Sequence, residues 1–93
     1  MTEPLRHLVW TRGGHAEIVR VDDDAIELRS TTSAPPGARL EASLGEDPSQ
    51  GVKIKSHGSR READGSFLLR GRLLDATRDL RDRLARLYPR PAL

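Results

Sequence analysis

The stretch that most restricts the fold is 51–74, two alternating runs separated by a turn. Successive side chains of a strand point to opposite faces, so Val52 and Ile54 fall on one side of the first run and Lys53, Lys55 and His57 on the other. In the second run Phe67, Leu69, Gly71 and Leu73 share a face opposite Arg70 and Arg72. Between them lies Ser59-Arg60-Arg61-Glu62-Ala63-Asp64-Gly65, whose Asp-Gly step supplies the positive φ of a tight reversal. The pattern predicts an antiparallel ribbon with an apolar underside and a cationic top.

The rest of the chain supplies partners for that underside. Residues 5–10 read as a first short strand ended by Gly13-Gly14. Residues 15–21 are rich in β-branched side chains and read as a second, with Ala16 and Ile18 on one face and Val19 and Val21 on the other. Asp22-Asp23-Asp24 turns the chain into a third strand, where Ile26 and Leu28 alternate with Glu27 and Arg29. Residues 30–37, with Pro35 and Pro36, form a loop that cannot lie in a central strand. A fourth strand follows at 38–44, with Leu40, Ala42 and Leu44 on one face, and 45–50 is a turn.

From Asp75 the apolar period lengthens towards that of a helix. Leu80, Leu84 and Leu87 make a stripe on a helix over about 76–88. Asp75 is its expected N-cap and Pro89 its stop, while Asp79 with Arg83 and Asp82 with Arg86 have the spacing of helical ion pairs. The expected fold is mainly β: a small six-stranded antiparallel barrel or sandwich with one C-terminal amphipathic α-helix. A chain of 93 residues has room for one such domain, spanning 1–93, and not for two.

Composition bears on function chiefly by what it fails to supply. No apolar run is long enough to span a membrane, the N-terminus has no signal-peptide pattern, and cysteine is absent, so the expectation is a cytoplasmic protein. Sixteen basic against fourteen acidic residues do not make a polycation, and Lys53 and Lys55 are the only lysines. The histidines His7, His15 and His57 have no metal-ligand spacing, and no serine sits in a nucleophile-elbow pattern. Consecutive aspartates at 22–24 point to different sides of an extended chain, which suits a turn and not a calcium loop. The expectation is no enzyme, no metal and no cofactor.

Three segments carry a family resemblance: Ala25-Ile26-Glu27-Leu28-Arg29-Ser30, the Pro35-Pro36-Gly37-Ala38-Arg39-Leu40 entry into a strand, and residues 65–74 followed by an arginine-rich helix. Over roughly 4–88 the order and spacing of elements resemble a PilZ domain. The resemblance implies a bacterial signalling module that binds cyclic di-GMP through an Arg-x-x-x-Arg motif and an Asp/Asn-x-Ser-x-x-Gly motif, the guanidiniums gripping phosphates and guanine edges. Here Arg6 is followed four residues on by Trp10, and Arg12 by Ala16. Arg86 and Arg90 have the spacing but lie at the helix end, and Asp47-Pro48-Ser49-Gln50-Gly51 is one residue short of the second motif. The chain therefore looks like a degenerate member, similar to those that act through a protein partner, with weak or no cyclic di-GMP binding.

The residues singled out for anion binding are Lys53, Lys55, His57, Arg60, Arg61, Arg70 and Arg72. Against them stand Glu17, Glu27 and Glu41, placed to neutralise the face as cross-strand pairs. Two alternatives to the adaptor reading remain: RNA or DNA binding through the ribbon, for which Trp10, Phe67 and Tyr88 are the only aromatic residues, and a homodimer built on an exposed strand edge or the helix stripe.

Overall fold

The computed structural model describes residues 6–88. Leu5, Pro89 and Arg90 lie outside them. The elements in order are β1 (Leu8–Trp10), β2 (His15–Asp22), β3 (Ala25–Ser30), β4 (Arg39–Leu44), β5 (Gly51–Arg61), β6 (Phe67–Leu74) and α1 (Arg78–Leu87). Every pairing is antiparallel, and the order β1-β2-β3-β6-β5-β4 closes because β1 returns to β4 through Leu8↔Leu44, Val9↔Ser43 and Trp10↔Ala42. The expected six strands and terminal helix are thus present, as a closed barrel and not a sandwich.

Alternation fills the barrel. Leu8, Leu28, Leu44, Ile54 and Leu69 are fully buried inside it. Burying a side chain of that size contributes about 1.5–3 kcal/mol. Trp10 joins them and donates its indole N–H to the buried Ser30 hydroxyl at 2.9 Å, so the ring's one polar atom has a partner.

One strand departs from simple alternation. In β2 the register passes from Ile18↔Leu28 to Arg20↔Glu27, leaving Val19 as the extra residue of a bulge. Val19 is therefore exposed, and Val21 returns to the interior with Ala16 and Ile18. The expectation that Val19 and Val21 share a face is corrected by that single residue.

The two ends of the barrel are sealed differently. At one, the loop 31–38 lies over β5: Ala34 is buried, its carbonyl accepts from the Ser59 hydroxyl at 3.2 Å, and Gly37 N–H donates to the Ser56 carbonyl at 2.7 Å. At the other sits α1, with Leu80 and Leu84 in the core and Leu87 left exposed past the rim. The N-cap is Thr77, whose hydroxyl accepts Leu80 N–H at 3.1 Å, and not Asp75. Asp75 instead takes a left-handed φ of 52° at the bend out of β6, so the helix begins at Arg78.

Ion pairs fasten the helix to the hairpins of that end. Arg81 reaches Asp23 in the β2–β3 turn at 3.4 Å, while Arg83 reaches Glu46 at 3.6 Å and Asp47 at 3.1 Å in the β4–β5 turn. Arg83 thus serves the barrel and not the expected helical pair with Asp79. Such exposed contacts contribute little to stability, so they orient a helix that Leu80 and Leu84 hold.

Beside the helix C-terminus, His7 packs its ring 4.3 Å from that of Tyr88 and accepts the Ile18 N–H on Nδ1 at 2.8 Å. That N–H points to the β1 side of β2, beyond Ala16, the last β2 residue opposite β1, so His7 takes it in place of a strand. Burial lowers the His7 pKa below the usual histidine value, against the opposing pull of Glu17 and Glu46, and the same desolvation raises that of Tyr88.

Two outcomes are expected. A Cβ on Gly45 would run into the Arg6 carbonyl oxygen, where the approach to β1 passes the end of β4, so Gly45→Ala should cost about 1–3 kcal/mol or more in urea unfolding. Because burial lowers the His7 pKa in the folded state, the unfolded chain takes up the proton at higher pH: stability should be fully present above about pH 6.5 and fall as pH drops below it. Unfolding curves of wild type and His7→Gln between those conditions should show a shallower pH slope in the variant.

Candidate anion-binding face on the barrel wall

Lys53, Lys55, His57, Arg60 and Arg61 belong to β5 and Arg70 and Arg72 to β6, and all seven are exposed. They do not form one patch. Where the turn was expected from Ser59, β5 instead runs on to Arg61, with Arg60 opposite Leu68 and Arg61 opposite Phe67. The reversal is made by 62–66: Ser66 donates from both its N–H (2.9 Å) and its hydroxyl (2.6 Å) to Asp64 Oδ1, and Gly65 has φ +89°. Those two bonds hold the Asp64 carboxyl below the usual carboxylate pKa. Arg60 and Arg61 therefore stand roughly 15 Å along the strand from Lys55, and Arg60 pairs with Glu62 at 3.6 Å.

A second bulge creates the boundary. The β5–β6 register jumps from Ser56↔Gly71 to Gly58↔Arg70, leaving His57 as the extra residue. Ser56 is fixed from three sides: its N–H donates to the Ala38 carbonyl at 2.7 Å, its carbonyl accepts from Gly37, and its hydroxyl accepts from Gly58 N–H at 3.0 Å. Gly58 supplies a φ of +124° that side-chain-bearing residues rarely adopt. The bulge keeps His57 outward and turns it towards β6.

What the register brings together is a row across three strands. Arg39 on β4 is directly opposite Lys55 on β5, and Lys55 is directly opposite Arg72 on β6. All three are exposed on the outer face. Like charges placed directly opposite destabilise a sheet, by roughly the 0.2–1 kcal/mol that favourable pairs contribute. Only Arg72 has an acid beside it, donating from Nε to Asp24 Oδ2 at 3.1 Å. Among the described residues Arg39, Lys53 and Lys55 take part in no ion pair.

Arg39 was absent from the residues singled out. Its outward parity follows from Leu40, Ala42 and Leu44 facing in, but nothing local says which β5 residue it meets.

The acids expected to neutralise the wall do so on one side only. Glu27 reaches Arg20 at 3.4 Å and Arg70 at 4.0 Å, and Glu17 reaches Arg29 at 3.9 Å. Glu41 stands opposite Lys53 without forming an ion pair. Between the halves runs a charged cleft of about 270 Å³ lined by Arg20, Asp24, Glu27, His57, Arg70 and Arg72, in which carboxylates already occupy the guanidiniums. A roomier hollow of about 670 Å³ adjoins the row at Arg39, with Trp10, Arg12, Ala34 and Leu40 on its walls.

Other candidate groups are scattered. Asp23 and Asp24 point to Arg81 and Arg72, and among the described residues no three metal-ligating side chains converge. His7 lies under Tyr88, His57 on the β5 bulge, and His15 at the start of β2, with Nε2 buried and unpaired. The Asp47-Pro48-Ser49 segment closes on itself: Ser49 donates to Asp47 Oδ1 from its hydroxyl at 2.5 Å and its N–H at 3.2 Å, which with Arg83 lowers the Asp47 pKa. Among the described residues no helix is long and apolar enough to cross a membrane. Comparison with protein-family models, curated proteins and solved structures gives no match.

The crowding of three cations has a measurable consequence. Lys55→Glu places an acid between two guanidiniums and should stabilise the fold by a few tenths to about 1 kcal/mol in urea unfolding. A neutral or destabilising result would show that the wild-type row is not strained.

Proposed function

We propose that the chain is a non-enzymatic module of PilZ-like type, a signalling or adaptor barrel that holds an acidic protein partner against the outer wall of β4, β5 and β6. The observation that carries this reading is the row Arg39–Lys55–Arg72, cations set opposite one another where mixed charges would stabilise the sheet better. The order of six strands and a terminal helix agrees with what the PilZ resemblance implies for the fold.

Recognition on the wall is favoured because the interior is filled with side chains and both ends are covered. Recognition of cyclic di-GMP is disfavoured because the nucleotide motifs are missing and because Glu27 already stands beside Arg70. A homodimer through a strand edge or the helix stripe is less favoured too: β1–β4 pairing closes the sheet, and Leu80 and Leu84 are spent on the core.

Calorimetric titration with cyclic di-GMP should show no saturable binding in the low micromolar range, and such binding would overturn the motif-loss argument. A fluorescent polyglutamate probe should bind, weaken steeply as salt rises, and lose roughly tenfold in affinity, about 1.4 kcal/mol, in Lys55→Glu. Salt-independent binding, or none, would remove the acidic partner.

A further inference from the structure

The geometry points to the shape of that partner: an α-helix carrying carboxylates at i, i+3 or i+4, and i+7, laid across the strands on Arg39, Lys55 and Arg72. This inference rests on the acidic-partner reading and adds its secondary structure and spacing. Neighbouring strands lie about 4.8 Å apart, so the backbone positions that carry the three cations stand at that interval over about 10 Å. One face of a helix repeats every three to four residues, or about 5–6 Å, and i to i+7 spans about 10.5 Å. An extended peptide repeats a face only every 6.7 Å or so, and three of its carboxylates would span about 13 Å. The row's interval is that of a helix.

The wall has the shape for it. Strands of a closed barrel tilt against its axis, so a row perpendicular to the strands runs obliquely along the barrel. The rows on either side are two residues away, about 7 Å, with Lys53 and Glu41 on one flank and Arg70 on the other. A helix about 10–12 Å across covers the central row and brushes both. Arg72 spends only Nε on Asp24, which leaves the forked end of its guanidinium for an incoming carboxylate. Glu41 would repel an all-acidic helix and so selects a partner with a neutral or basic residue above it.

A nucleic-acid strand is disfavoured on this wall because no aromatic side chain stands among the cations. Trp10 is inside, Phe67 is at the far end of β6 beside Arg61, and Tyr88 lies on His7.

The test uses the whole protein and two alanine-rich peptides of about 20 residues, long enough to be helical, with identical composition. One carries its glutamates at i, i+4 and i+7; the other spreads the same glutamates around the helix. A short DNA duplex is the third probe, and binding is followed by fluorescence anisotropy and amide chemical shifts at about 50 mM salt. The one-faced peptide should bind at least about fivefold more tightly than the spread one, with shifts centred on Arg39, Lys55 and Arg72. That preference should vanish in Arg39→Glu and Lys55→Glu, whose folding is checked by unfolding curves, and Glu41→Gln should tighten the one-faced peptide. Equal affinity for the two peptides would overturn the helical partner while leaving an acidic partner standing. Binding of the duplex alone would overturn both.

Discussion

Three backbone pairings between β1 and β4 turn an open six-stranded sheet into a closed wall, and the remaining structure is arranged to permit them. β1 is only three residues long, so its hold depends on side chains that flank it. Leu8 is fully buried, Trp10 reaches through the interior to Ser30, and His7 accepts the Ile18 N–H that lies beyond the last β2 residue paired with β1. Gly45 admits the Arg6 carbonyl where any side chain would exclude it, and its own N–H donates to the His7 carbonyl at 2.8 Å. With β1 in place both sheet edges disappear, and the sheet surface that remains exposed is the outside of the wall.

The parts of this fold legible in the sequence are those set by side-chain parity. Val52, Ile54, Leu69 and Leu73 face in and Lys53, Lys55, Arg70 and Arg72 face out, as simple alternation demands, and Leu80 and Leu84 dock as their spacing implies. The two bulges were not legible, because each depends on contacts far along the chain. Val19 is left over where β2 gains one residue against β3, and His57 where the loop 31–38 pins Ser56. Both bulges interrupt the parity, and the second also delays the expected turn by carrying β5 to Arg61. The N-cap was missed for a related reason: Asp75 is consumed by a left-handed bend that aims the helix over the barrel end, and Thr77 is the first residue free to cap.

For the site, sequence supplied the composition of a cationic face but not its grouping. Seven residues resolve into a far pair, Arg60 and Arg61, a half-neutralised pair, Arg70 and His57, Lys53 opposite Glu41, and Lys55 with Arg72 in a row that needs Arg39 from another strand. Register decides that grouping, and register is a property of two strands at once.

The division of charge around the wall argues that the row is not a by-product of an arginine-rich chain. With sixteen basic and fourteen acidic residues, there are acids enough to pair most cations, and on β2, β3 and β6 they do so: Glu17 with Arg29, Glu27 with Arg20 and Arg70, Asp24 with Arg72. The same chain leaves Arg39 and Lys55 opposed across β4 and β5, although one acid in place of Lys55 would satisfy both its neighbours. A sheet that tolerates repulsion at one place and relieves it elsewhere stores a small free energy that an incoming anion releases. On the proposed reading, binding at the row gains both the new attraction and the relief of the old repulsion, a way for a water-exposed surface to discriminate by charge spacing.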